Sequence, residues 1–199
     1  MIDTVVFDMG GVLVDFHPRK GLKDLGFSKE CVDAFMSRIF SGFWEECDKR
    51  PISREEIIRL FTKELPEYEK EVKILWEGTN TRALTNSYDY SKEWLKSLQE
   101  SGLKVYILSN FGQVSFENHK EIYTFLEHTD GGVISYEVSQ YKPNPDIYQT
   151  LIHKYGITPE HAVFIDDRKV NVDAARSVGM QGIVFESFKD CKEKIAELL

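Results

Sequence analysis

The chain has 199 residues, of which 42% are hydrophobic and 29% charged, and its net charge is -8. That mixture is globular rather than disordered, and the length suits one α/β domain with a substantial insertion rather than two independent domains. The negative balance is spread without an acidic block, which argues against nucleic acid or an anionic membrane as the main partner, since both need a basic patch.

The N-terminus, MIDTVVFD, lacks the basic start and long apolar run of a signal peptide. Its run from Thr4 to Phe7 reads as the first strand. From about residue 17 to 86 the pattern is helical throughout with no convincing strand. Within it, Ser53-Arg54-Glu55-Glu56 has the form of a capping box and opens the run Ile57, Ile58, Leu60, Phe61. Residues 88–101 place Trp94, Leu95 and Leu98 on one helical face, with Gly102 as a C-terminal cap. Lys104–Leu108 and Gly132–Ile134 read as further strands. Residues 145–155 put Ile147, Leu151 and Tyr155 at helical spacing after Pro143 and Pro145. Ala162–Ile165 and Gly182–Phe185 are strands, and 169–178 and 189–199 are helices.

Strands alternating with helices imply right-handed βαβ units and a parallel sheet covered on both faces. The expected fold is therefore α/β, a Rossmann-like three-layer core formed by residues 1–16 and 87–199. A helical segment, 17–86, is inserted after the first strand and packs over the sheet edge. Cys31, Cys47 and Cys191 are odd in number and far apart, as expected of free thiols in a reducing cytoplasm. No apolar stretch approaches transmembrane length, and the expected location is cytoplasmic. A monomer and a homodimer are both compatible with the sequence.

In open parallel sheets ligands bind outside the carboxyl ends of the strands, so the residues just after each strand are the informative ones. The first strand runs into Asp8-Met9-Gly10-Gly11, the second into Ser109-Asn110, and the fourth into Asp166-Asp167. Lys142 lies in the loop after the third, before Pro143-Asn144-Pro145. Three carboxylates, a hydroxyl and an ammonium would converge on one edge. Carboxylates so close repel unless a cation compensates, and a hard, oxygen-seeking ion such as Mg²⁺ is the natural one. Asp8 is then placed to act both as metal ligand and as attacking group.

Phe7-Asp8-Met9-Gly10-Gly11-Val12-Leu13, Ile107-Leu108-Ser109-Asn110, Lys142-Pro143, and Phe164-Ile165-Asp166-Asp167 with Asn171 resemble the four ordered motifs of the haloacid dehalogenase-like hydrolase superfamily. The inserted helical segment resembles that superfamily's first class of cap. Within it, the chain is most similar to small bacterial sugar-phosphate phosphatases, an α-glucose-1-phosphate phosphatase among them. The resemblance implies a Mg²⁺-dependent hydrolase of a small phosphorylated metabolite, with Asp8 as nucleophile and an aspartyl-phosphate intermediate. It implies Asp8, the Gly10 carbonyl, Asp167 and Asp166 about the metal. Ser109 and Lys142 would bind the phosphoryl group with Asn110 beside it, and Asn171 would tie the last loop.

One position departs from the pattern. Most phosphatases of the superfamily carry a second aspartate two residues after the nucleophile as general acid and base, and here that residue is Gly10. Asp15 and His17 are near enough in sequence to supply the proton instead. The departure leaves room for a second reading, a catalytically weak phospho-ligand-binding or regulatory protein. A haloacid dehalogenase is disfavoured, because Asp166 and Asp167 would repel an anionic substrate without a cation. In the inserted segment, Trp44, Glu45, Glu46 and Arg50 form a polar-aromatic cluster open to substrate, while Phe40 and Phe43 read as packing the segment's own core. His119, His128, His153 and His161 show no metal-ligand spacing and are expected on the surface or on helix faces.

Overall fold

A computed structural model describes residues 1–199. Strand β1 (Thr4–Phe7) leads through a tight loop into β2 (Val14–Phe16). Helices α1 (Pro18–Asp24), α2 (Lys29–Arg38), α3 (Arg54–Glu64) and α4 (Glu69–Trp76) come next, and β3 (Thr85–Ser87) returns the chain to the sheet. Then come α5 (Ser91–Glu100), β4 (Lys104–Ser109), α6 (Gln113–His119), β5 (Gly131–Ile134), α7 (Ser135–Val138) and α8 (Pro145–Tyr155). The chain ends with β6 (Ala162–Asp166), α9 (Lys169–Ser177), β7 (Gln181–Val184) and α10 (Phe188–Leu198).

The five main strands form one parallel sheet in the order β5-β4-β1-β6-β7. This is the expected α/β, Rossmann-like arrangement. The pleat sorts the apolar runs onto two faces. Val5, Phe7, Val105, Ile107, Val163 and Ile165 turn to one side, where Trp94, Leu95 and Leu98 of α5 and Cys191 and Ile195 of α10 cover them. Val6, Tyr106, Leu108 and Phe164 turn to the other, under Ile147, Tyr148, Leu151 and Ile152 of α8 and Ala175 of α9. Unbroken hydrophobic strands are thus explained by a sheet buried on both faces.

Helices α1 to α4 enclose a separate apolar cluster that includes Phe35, Phe61, Val72, Leu75 and Trp76. Ser53 caps α3 by accepting from the Glu56 N–H, but the Glu56 carboxylate turns to Arg59, so only half of the capping box forms. The expectation of no strand between 17 and 86 is corrected. Thr85–Ser87 pairs antiparallel with Val14–Phe16, with Phe16 opposite Thr85 and Val14 opposite Ser87. With the sequences Val-Asp-Phe and Thr-Asn-Ser, these three-residue strands hold each other by pairing, not by an apolar pattern of their own. The resulting ribbon carries the chain into and out of the helical block at one point.

At that point α1 lies directly on the turn before β3. A Cβ added to Gly21 would sit 2.2 Å from the Ala83 carbonyl oxygen, a backbone atom that cannot swing aside. Gly21→Ala should therefore destabilise the protein by about 1–3 kcal/mol, the usual range for overpacking. At ~2–4 °C per kcal/mol for this size, calorimetry should show a Tm lower by roughly 2–12 °C.

Candidate active site

Strand register brings the chemistry together. Phe7 is level with Ile107 on one side and Ile165 on the other, so Asp8, Ser109 and Asp166 emerge at the same edge of three adjacent strands. Lys142 arrives from the loop after α7 and is buried there, with its ammonium 2.8 Å from Asp8 Oδ1 and 2.7 Å from Asp166 Oδ2. Ser109 Oγ donates to Asp8 Oδ1 at 2.9 Å, and the Met9 N–H donates to the same oxygen at 2.6 Å.

Each of these groups is held from behind. Asn171 Nδ2 donates to both carboxylate oxygens of Asp166 at 3.0 Å, and Tyr148 OH in turn donates to the Asn171 carbonyl. Asp166 Oδ1 also accepts from the Arg168 N–H, which secures the start of α9. Asn110, expected beside a phosphoryl group, lines the same cavity as Asp8 and Lys142. Its Nδ2 donates to the Lys142 carbonyl at 3.0 Å and its Oδ1 accepts from the Lys142 N–H at 2.8 Å. Both polar atoms of its amide bond the lysine's backbone, which leaves one of the two Nδ2 protons over.

One carboxylate oxygen from each of Asp8, Asp166 and Asp167 lies within 4.8 Å of the others. Three negative charges face one ammonium. The excess of two matches a divalent ion, and carboxylate oxygens suit a hard one. Gly11 makes room for this cluster. It has φ +73°, and a Cβ there would stand 2.5 Å from Asp167 Oδ2. A Cβ on Gly10 would meet nothing within 4 Å, so sterics leave that position open to a side chain.

Burial chiefly raises the Asp8 carboxyl above its ordinary value; Lys142 opposes this and Asp166 reinforces it. Burial also raises Asp167, again reinforced by Asp166. For Lys142 burial acts downward, but the contacts with Asp8 and Asp166 prevail and the ammonium is held above its usual range.

These residues form the floor of a cavity of about 450 Å³, within the size range of small-molecule sites. The helical block supplies Phe40, Trp44, Glu45 and Asp48 to its walls, and the ribbon supplies Asp15 and Phe16. Trp44 serves two purposes, since its ring also stacks on Trp76 at 5.5 Å inside the block. Phe40 packs against the block's core and reaches the cavity as well. Glu45 lies 3.7 Å from Arg168 across the gap. Glu46 pairs with Lys49, and neither Glu46 nor Arg50 lines the cavity. His17 is also outside the lining; its Nδ1 lies 3.0 Å from Asp15 Oδ2.

Two site residues escape the sequence reading. Asp48 faces the cavity and the Gly112 N–H, and burial, then Glu45, push its carboxyl up to about 8, with Asp8 adding to the effect. Its carbonyl accepts from Ser135 Oγ, which ties the block to the core after β5. Nothing in Glu45-Glu46-Cys47-Asp48 marks which acid turns inward. His119, expected on the surface or a helix face, is buried at the end of α6 and lines the cavity. Its helix is short, and its apolar pattern is too brief to announce it.

A model of the haloacid dehalogenase-like hydrolase family matches residues 2–179. A sesquiterpene phosphatase of Aspergillus oryzae is 25% identical over 195 residues, covering 96% of this chain and 93% of that protein. A D-ribitol-5-phosphate phosphatase of Bacteroides thetaiotaomicron is 25% identical over 215 residues, covering 100% and 99%. Among solved structures, a family enzyme of B. thetaiotaomicron, in an aspartate-to-alanine variant complexed with magnesium and inorganic phosphate, superposes with a TM-score of 0.76 at 21% identity. That alignment covers 96% of this chain and 98% of the other.

A metal entering this cluster must displace whatever proton Asp8 holds. Because Asp8 titrates above the ordinary carboxylate range, apparent Mg²⁺ affinity should still climb through neutral pH. An ordinary aspartate would have levelled off by roughly pH 5. Calorimetric titration at a series of pH values should show up to about tenfold tightening per pH unit below the raised value, one proton being released per ion.

Proposed function

The chain belongs to the haloacid dehalogenase-like hydrolase family, and from that premise we propose that it is a magnesium-dependent phosphomonoester hydrolase of a small phosphorylated metabolite. The observation that carries this reading is the cluster of Asp8, Asp166 and Asp167 around one buried ammonium, on the floor of a cavity of small-molecule size. The phosphatases among its relatives and the magnesium and phosphate bound by its structural neighbour support it.

In this reading Asp8, the Gly10 carbonyl and Asp167 would hold Mg²⁺, with Asp166 beside it. Once bound, the ion would supply neutralisation of the negative charge on the nucleophile and the phosphoryl group. Asp8 attacks phosphorus through a carboxylate oxygen, the bond to the leaving oxygen breaks, and an aspartyl-phosphate forms. Lys142 offsets negative charge on Asp8 and on the transferring group, and the Ser109 hydroxyl is near enough to bind a phosphoryl oxygen. Water then attacks the same phosphorus, its bond to the Asp8 oxygen breaks, inorganic phosphate leaves, and the proton lost by water passes to the carboxylate that protonated the leaving oxygen. The helical block, 17–86, acts as the cap that excludes bulk water from this sequence.

The leaving oxygen needs a proton, and Gly10 has none to give. Asp48 is the carboxyl in the cavity that is held protonated near neutral pH, and we assign it this role. Asp15 shares the cavity but is half exposed on the ribbon and is bonded to His17.

Asp8→Asn should abolish Mg²⁺-stimulated turnover of p-nitrophenyl phosphate, and chelation of the wild-type protein should do the same reversibly. A wild-type protein that turns over neither p-nitrophenyl phosphate nor a panel of phosphorylated metabolites, while Asp8→Asn still binds inorganic phosphate, would instead be a binding protein. Asp48→Asn tests the proton donor. General acid catalysis is worth ~10²–10⁴-fold, so kcat on alkyl and sugar phosphates should fall by that order. The p-nitrophenyl ester, whose leaving group needs little protonation, should be nearly unaffected. A structural role for Asp48 would lower both alike.

A further inference from the structure

His119 is 1% exposed, and its ring is fixed by Tyr123, stacked at 5.3 Å, and by the edge of Phe111 at 6.0 Å. Its Nδ1 lies 2.6 Å from the Ser115 carbonyl oxygen. A carbonyl only accepts, so Nδ1 carries the proton. Burial moves the imidazole below its ordinary value, which keeps the ring neutral. Its Nε2 is then a bare acceptor, and that buried atom has no hydrogen-bond partner. The Thr81 carbonyl, the other backbone group facing the ring, cannot serve because it also only accepts.

Thr81 supplies the complement. Its Oγ1 accepts from Asn118 Nδ2 at 3.0 Å, which leaves its own proton free to donate. Both Thr81 and His119 line the cavity that holds Asp8. The cationic side chains in that lining are Lys142, committed to Asp8 and Asp166, and Arg168, beside Glu45. A second anionic group on the substrate would therefore find a lone pair at His119 and no free ammonium or guanidinium. A carbinol hydroxyl both donates and accepts, and it fits the pair.

We infer that His119 and Thr81 form a hydroxyl-recognition subsite, so that the substrate is a monophosphate of a polyol or sugar rather than of a hydrocarbon alcohol. This rests on the phosphomonoesterase reading and deepens it, naming the class of leaving group. It is also a choice between relatives, since one acts on a sesquiterpene ester and another on ribitol 5-phosphate. An alkyl chain seated here would leave a buried acceptor and a buried donor unpaired, at ~1–3 kcal/mol for each such group. Sites built to bond a hydroxyl reject analogues that lack it.

The test compares ribitol 5-phosphate with pentyl phosphate, which has the same carbon count and no free hydroxyls. Wild-type kcat/KM should favour the polyol ester by at least about 30-fold, the lower end of that penalty for the two groups together. His119→Phe and Thr81→Val should each erase most of the preference by lowering the polyol value, leaving pentyl phosphate and p-nitrophenyl phosphate within a few-fold of wild type. Equal use of the two esters by the wild-type protein, or parallel losses on all three substrates in both variants, would overturn the inference. Calorimetric binding of the same two esters to Asp8→Asn, with and without the second substitution, reads the subsite without turnover. A polyol preference there with no hydrolysis by the wild type would remove the phosphatase reading and keep the subsite.

Discussion

The Lys142 ammonium, buried between Asp8 and Asp166, is the constraint around which the site is arranged. A charge in that position is tolerated only when paired and hydrogen-bonded. Its two partners come from different strands, β1 and β6, and the lysine itself comes from the segment beyond β5. The strand order is therefore a condition of the electrostatics: β1 must be central, with β4 and β6 on either side. Asn110, at the end of β4, fixes the lysine's backbone, and Asn171, on α9, fixes Asp166. One ammonium against three carboxylates leaves the edge two charges negative, which disposes the cluster toward a divalent ion.

The sheet was readable in the sequence because its strands are buried on both faces. Short runs such as Thr4–Phe7 and Ala162–Ile165 have no polar phase, and an acid directly after such a run is out of keeping with apolar packing and calls for a partner. Asp8 and Asp166-Asp167 stood out for that reason. Lys142 had no comparable mark beyond its place before Pro143, since a lysine in a loop is ordinarily solvated. The β2–β3 ribbon was illegible because three residues are too few to show a period, and its stability lies in a partner about 70 positions away. Asp48 was hidden by the same limit, since it is turned inward by a distant segment of the chain at Gly112 and Ser135. His119 is held by Tyr123 and Phe111, which flank its own helix, and that helix is too short to show which face is buried.

The cavity divides into two chemical regions. At the strand ends the charged groups Asp8, Lys142, Asp166 and Asp167 gather, and the neutral Ser109, Asn110 and Asn171 bond to them and hold them in place. Around His119 the groups are neutral and their hydrogen-bonding capacity is only half used. The first region suits a group common to all phosphomonoesters and cannot discriminate among them. Selectivity must then come from the second region and from the walls that the helical block and the ribbon contribute, through Trp44, Phe40 and Phe16.

Gly10 and Asp48 belong to one argument. An acid at position 10 would have added a fourth carboxyl to a core already two charges in excess. Asp48 lies on the helical block, and the main cause of its raised titration is burial between that block and the core. Moving the block away would restore water to Asp48, returning it to the ordinary carboxylate range, where it is ionised at neutral pH and has no proton to donate. In the function proposed above, the protonation of Asp48 thus depends on the seating of the block. In such an arrangement the block does more than exclude solvent: its seating over the sheet edge sets the acid in the state that leaving-group departure requires.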